Sequence, residues 1–272
     1  MPTLQSAGPC PELRPFVRAY AERHFEKKDL SLEMIVPAQL EEVLNFELGV
    51  PPEVRHRVYK VLDPVWIGGA QTSFPGDMTV HPGNLSFVVF FQPGGWSRLF
   101  EIPMREITNH IYDAPLVAGA RMRDLRDSLG ECCTFHERVA VIEKFLVHRA
   151  SRIVCQDGVE PAAAYIFRRR GIVTVPELAA RAGMGLRQFE RRFQQETGAS
   201  PKVFARVARF QAALDAKLAS PKRPWLDIAH VFGYHDQMHM IHDFEDLASH
   251  TPTKLISLLG DVRPPALAEG EM

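Results

Sequence analysis

Long apolar runs are missing: no stretch of the 272 residues approaches the ~20 that a bilayer-crossing helix needs. Cysteine is scarce. Cys10, Cys132, Cys133 and Cys155 are too few and too irregular for a disulfide framework, and no two form a C-x-x-C pair. The N-terminus, MPTLQSAGPCPELRPF, has no charged region followed by an apolar one, so no secretory signal is read there. The expected compartment is a reducing cytoplasm. No P-loop, no G-x-S-x-G and no G-x-G-x-x-G occurs, which removes the usual signatures of nucleotide, α/β-hydrolase and dinucleotide chemistry. No cofactor is implied. With 46% apolar and 24% charged residues, the chain has the make-up of a folded protein of one large or two ordinary domains.

Net charge is also small, −1, but that balance hides a division. Residues 1–161 carry −4, residues 162–225 carry +9 and residues 226–272 carry −6. A block of +9 makes a strong local field suited to a polyanion, with a solvated basic face as the plain alternative.

The first hundred residues are strand-rich. Apolar runs at 43–48, 58–71 and 85–92 alternate with Pro/Gly turns such as Pro51-Pro52, Pro82-Gly83 and Pro93-Gly94-Gly95. Short runs between turns predict a small β-barrel or sandwich. Helical spacing takes over from Pro115 to Gly130 and from Thr134 to Ser151. A boundary is expected at Gln156-Asp157-Gly158, beyond which the chain reads as helical, and residues 261–272 read as a disordered tail.

The most informative feature is an internal repeat. Val175-Pro-Glu-Leu178-Ala179 with Gly183 recurs as Trp225-Leu-Asp-Ile228-Ala229 with Gly233, 50 residues later. Phe193 and Pro201 recur as Phe244 and Pro252 at a spacing of 51, which puts one extra residue in the second turn. Helix, glycine, short turn and second helix describe a helix-turn-helix, whose second helix enters the DNA major groove. Stepping 100° per residue from Leu186 places Phe189 and Phe193 with it on one side. Arg187, Gln188, Arg191 and Gln195 fall opposite, Gln194 at the edge and Arg192 on the flank. Arg and Gln are the side chains that form bidentate bonds to guanine and adenine.

These residues make the resemblance specific. Residues 162–260 resemble the DNA-binding region of the AraC/XylS family of transcription regulators. The likeness is carried by Leu178-Ala179, Gly183, Phe189-Glu-Arg-Arg-Phe193, Gly198-Ala-Ser-Pro201, Arg209 and Ala213. In the second unit it is carried by Asp227-Ile-Ala229, Phe232-Gly-Tyr234, Asp236-Gln237, His239, Phe244 and Pro252. The resemblance implies an all-α domain of two helix-turn-helix units joined by one long helix, Pro201 to Ala219. It implies base reading by Arg187, Gln188 and Arg191, with Arg192, Gln194 and Lys202 as backbone or support contacts. Thr174 would cap a helix whose N-terminus meets a phosphate.

The second unit departs from the family pattern. His242, Glu245 and Asp246 stand where basic residues are usual, Met238 replaces a serine and Ser249 a glycine. Gln237, Met238 and His242 are therefore expected to touch DNA weakly, if the second unit touches it at all, and lysines at 245 and 246 are expected to strengthen binding. His239, His242 and Asp246, with His235 just before them, share a helix face at a spacing compatible with Zn²⁺ or Ni²⁺, but no fourth ligand is obvious and a polar helix face is preferred.

The N-terminal stretch resembles the barrel-like sensor domain that precedes some of these regions, through Leu13-Arg-Pro-Phe-Val17, Ile67-Gly-Gly-Ala-Gln-Thr72 and Phe90-Phe-Gln-Pro-Gly-Gly95. Tyr59, Trp66, Phe90 and Trp96 are candidates for an effector pocket, with core packing as the alternative. The resulting expectation is an α+β protein: a cupin-like β-barrel domain with helices at 1–156 and a DNA-binding domain at 157–260. It would be a cytoplasmic, non-enzymatic regulator whose partners are duplex DNA, a small effector, a second copy and RNA polymerase. The alternatives are a metal-dependent barrel enzyme with an attached helical domain and a protein-interaction module with a degraded second unit.

Overall fold

The computed structural model describes residues 3–56, 63–153 and 159–259. Tyr59, Cys155, the expected boundary at 156–158 and the 261–272 tail lie outside them.

Valine, phenylalanine and leucine alternate with smaller or polar residues through the first ninety residues, and there the chain forms strands. They are β1 (Thr3–Ala7), β2 (Val17–His24), β3 (Leu32–Val36), β4 (Glu42–Glu47), β5 (Glu53–His56), β6 (Val65–Gly68), β7 (Gly76–Val80), β8 (Leu85–Phe91) and, after α1 (Gly95–Phe100), β9 (Ile111–Asp113). All pairings are antiparallel. One sheet runs β1-β2-β8-β4-β6-β9 and the other β3-β7-β5.

The expected closed barrel is corrected by this topology. Among the described residues the larger sheet ends on β1 and β9, the smaller on β3 and β5, and only an isolated bridge, Gln39 to Gln71, lies outside the named ladders. Closure needs every strand to find two partners. β1 pairs only with β2, its side chains almost all exposed, and β9 offers three residues to β6. β4, in the middle, is buried on both faces.

One face of the larger sheet carries Leu44, Phe46, Ile67, Phe87, Val89 and Phe91, and α1 packs there with α2 (Ala114–Ala118), α3 (Arg121–Glu131) and α4 (Phe135–Ala150). α4 begins with a capping box: the Thr134 hydroxyl accepts from the Glu137 N–H while the Glu137 carboxylate accepts from the Cys133 and Thr134 N–H groups. Buried Arg138 donates to Glu22 at 2.9 Å and so pins α4 to β2.

From Glu160 the chain is helical: α5 (Glu160–Arg168), α6 (Val175–Arg181), α7 (Leu186–Thr197), α8 (Pro201–Ala219), α9 (Trp225–Val231), α10 (Gln237–Ala248) and α11 (Pro252–Leu259). The repeat is realised helix by helix. α7 and α10 begin 51 residues apart, and the α9–α10 turn has one residue more than the α6–α7 turn. Gly183 and Gly233, at φ +63° and +67°, supply the left-handed residue in each turn. The helical core is not self-contained: Ala38, Leu40 and Ala70 of the β-region are buried in it. Among the described residues no helix is long and apolar enough to cross a membrane.

Candidate nucleic-acid interface

The first unit is built on α6, α7 and the start of α8. Thr174 caps α6, its hydroxyl accepting from the Glu177 N–H at 3.4 Å, and buried Leu178 and Ala179 hold that helix down. α7 is sharply two-sided. Phe189 and Phe193 are fully buried, and Phe193 meets Phe204 of α8 edge to face at 5.2 Å between ring centres. Leu186 departs from expectation. It is 45% exposed because it opens the helix, one turn beyond the phenylalanine contact.

Arg187, Gln188, Arg191, Gln194 and Gln195 are all exposed on the other side. None makes a side-chain hydrogen bond or ion pair with another described residue, so the guanidinium and amide groups face water with their donors unspent. Arg192 differs: its Nε lies 2.7 Å from Glu196 Oε1, and the other Glu196 oxygen accepts from the Val159 N–H at 3.0 Å. Arg192 thus ties α7, through Glu196, to the start of α5. Lys202 is exposed in the first turn of α8, which Ser200 caps through the Val203 N–H. Arg187, Arg191 and Lys202 are thus each exposed and within ion-pair distance of no carboxylate of a described residue.

In the second unit Asp236 caps α10, and the His239 N–H together with His235 holds its carboxyl below the usual range. Gln237, Met238 and His242 are exposed, as expected of a contact edge. His242 lies 3.6 Å from Glu245. Asp246, read from sequence as a charge repelling phosphate, sits 2.7 Å from Arg206 of α8. The same guanidinium reaches buried Asp243 at 2.7 Å, and Arg209 approaches Asp243 at 3.4 Å. Asp243, Arg206 and their pairing were missed by sequence reasoning, because the partners are 37 and 40 residues apart. Among the described residues no three His, Cys, Asp or Glu side chains are grouped to hold an ion.

Both second helices also touch the β-region. Gly198, which ends α7 at φ +82°, lies so close to Met104 and Thr108 that a Cβ there would collide with the Thr108 hydroxyl. The Leu247 and Asp246 carbonyls of α10 accept from the Ala38 and Phe74 N–H groups at 2.7 and 3.4 Å.

The candidate effector aromatics are not brought together. Trp66 and Phe90 alternate with Ile67 and Phe91, so they lie on the face of the larger sheet turned away from α1 to α4. Trp96 is fully buried on the opposite face, stacked on Phe100 at 3.8 Å. The sheet itself separates them.

Comparison with known proteins gives a match to the helix-turn-helix domain family over residues 178–257. No curated protein sequence matches. Among solved structures the chain is similar to ToxT from Vibrio cholerae O395, at 8% identity and a TM-score of 0.46 over 95% of this chain and 99% of that one. It is similar to wild-type ToxT from V. cholerae strain SCE256 bound to an unsaturated fatty acid, at 9% identity and a TM-score of 0.45 over 97% of each chain. The AraC-like transcriptional activator CuxR is similar at 14% identity and a TM-score of 0.25 over 77% of this chain and 86% of that one.

Proposed function

We propose that this chain is a DNA-binding transcription regulator of the AraC type, acting through its helix-turn-helix domain by binding and not by catalysis, and that it reads its operator chiefly with α7. Arg187, Gln188 and Arg191 contact base edges. Gln194, Gln195 and Lys202 position the helix against the backbone, and Thr174 sets the N-terminus of α6 toward a phosphate. The observation that carries this reading is the exposed Arg/Gln edge of α7, whose polar groups have no acceptor or donor among the described residues. An unspent guanidinium fork is suited to guanine, and an unspent amide to adenine.

α10 contributes less. Gln237, Met238 and His242 offer one amide, one thioether and one imidazole, with Glu245 beside them. Electrostatic attraction brings the +9 segment to DNA and the α7 side chains select the site. Residues 1–156 form the regulatory part and 157–260 the DNA-binding part. A small effector or a second copy bound to the first shifts the population of the DNA-competent arrangement.

The test is selection of bound duplexes from a random pool at fixed salt, with the unaltered chain and with Arg187→Ala and Arg191→Ala. A defined motif that degenerates at one or two positions in each variant supports the reading. Enrichment of the same motif by all three proteins refutes it.

A further inference from the structure

A half-open cleft of about 520 Å³ lies far in sequence from the reading helices, between α1, the start of α3 and the last turns of α4. That size is within the range of small-molecule pockets. Its floor is apolar, with Leu99, Met122 and Leu125 buried and Phe145 half-buried. Its walls carry four guanidiniums, from Arg98, Arg121, Arg149 and Arg152, and the imidazole of His148, against two carboxylates, Glu101 and Asp124.

None of the four arginines is within ion-pair distance of a carboxylate of any described residue, and Arg152 meets His148 at 2.9 Å. Their neighbours on α3 and α4 behave otherwise. Arg123 holds Asp63 at 2.8 Å, Arg126 holds Asp127 at 3.3 Å and Arg138 holds Glu22 at 2.9 Å. Arg149 is moreover fixed in place. Its Nε donates to the Leu99 carbonyl at 3.1 Å, and its guanidinium lies over the rings of Phe100 at 4.2 Å and Phe145 at 5.9 Å. Burial, and then the charge of Arg152, pull its pKa down. An oriented cation, partly out of water and beside a second cation, gains from an anion and loses little entropy in meeting one.

We infer that this cleft binds a small organic anion with an apolar body, an alkyl or aryl carboxylate, its charge on Arg149 and Arg121 and its body on Leu99 and Phe145. This deepens the effector reading, and its regulatory part rests on that reading, whereas the binding site does not. The route to DNA is short. α1 carries Arg98 and Leu99 into the cleft, and at its other end Gly94 packs on Glu196 of α7, a Cβ built on Gly94 falling 3.4 Å from that of Glu196.

The experiment is calorimetric titration of the full chain with octanoate, 1-octanol and acetate, followed by DNA titration with and without octanoate. Saturable octanoate binding is expected, with octanol and acetate each at least about ten-fold weaker, since one lacks the charge and the other the body. Arg149→Ala is expected to weaken octanoate by about ten-fold or more. Arg121→Ala, at an exposed side chain without a partner among the described residues, should weaken it by about three-fold at an unchanged melting temperature. Absence of octanoate binding to the folded chain, octanol binding as tightly, or indifference to both substitutions overturns the site. Octanoate binding that leaves DNA affinity unchanged overturns the coupling. A chain that binds octanoate but no duplex overturns the DNA reading and leaves the site standing.

Discussion

Arg206 holds Asp246 at 2.7 Å across forty residues of sequence, and with its Nε holds buried Asp243 at the same distance. The joining helix α8 therefore neutralises part of the acidic charge on α10. Asp246 is not a free carboxylate aimed at DNA but one end of a tether between the two units.

The two acidic positions of α10 should consequently part company. Glu245→Lys turns an exposed carboxylate, paired only with His242, into a cation and is expected to tighten DNA binding a few-fold at low salt, the gain fading as salt rises. Asp246→Lys sets a cation beside Arg206 and is expected to destabilise the fold by about 1 kcal/mol, half-exposed as the pair is. Fluorescence anisotropy on the selected duplex and chemical denaturation separate the two. Equal gains in affinity from both lysines would show that the tether has no energetic weight.

Base reading and backbone contact leave different traces. Arg187→Ala or Arg191→Ala should cost about 1–3 kcal/mol on the cognate duplex and little on a random one. Lys202→Ala should weaken cognate and random duplexes alike and reduce the slope of log K against log salt by about one. Affinities measured between 50 and 200 mM salt (~four-fold range) distinguish these patterns. A cognate-only loss from Lys202→Ala would move that residue to the base-reading set.

The reading helices end on equivalent residues with opposite chemistry. α7 closes on Gly198 at φ +82° and α10 on Ser249 at φ +57°, 51 positions apart. A left-handed residue with a side chain is strained, so Ser249→Gly should raise stability by about 0.5–1 kcal/mol. Gly198→Ala carries the same strain and in addition drives a methyl into Thr108 and the Met104 carbonyl, for a loss of about 2 kcal/mol or more. Gly183→Ala, at φ +63° but facing open space, isolates the backbone part at about 1 kcal/mol. Urea unfolding gives all three values, and a Gly198→Ala loss no larger than that of Gly183→Ala would deny the packing of α7 on residues 104–108.

Glu42 makes stability depend on pH. It is buried on β4, accepts from the Gly94 N–H at 2.8 Å and the Trp96 N–H at 3.4 Å, and faces Arg18 and Glu196. Burial outweighs those hydrogen bonds and, with Glu196, pushes its pKa up to about 8. The folded chain then keeps a proton that the unfolded chain releases near the ordinary carboxylate value. Stability should fall by about 1.4 kcal/mol per unit as pH rises from there toward 8, and level off above it. Glu42→Gln should remove that slope. Denaturation at several pH values, compared between the two proteins, tests it, and parallel curves would mean that Glu42 is charged throughout.

The sequence carried the helical third almost completely, for a physical reason. A helix-turn-helix is local. Left-handed glycines and an apolar stripe act within a few residues, so Gly183, Phe189 and Phe193 could be placed from their spacing alone. The 50- and 51-residue offsets even gave the one extra residue in the second turn.

What the sequence by itself determined, then, was the pair of duplicated helical units and the polar edge of α7, because 3.6-residue periodicity fixes which side chains share a face. Tertiary structure alone decided that the sheets stay open, that Trp66 and Phe90 are divided from Trp96, that Glu196 joins Arg192 to the start of α5, and that Asp246 is spoken for by Arg206. Strand order and most ion pairs join residues tens of positions apart, and no short-range rule says which strand finds which edge or which carboxylate an arginine meets. The unpaired arginines around the α1–α3–α4 cleft belong to the same class: their shared vacancy appears only once the helices are packed.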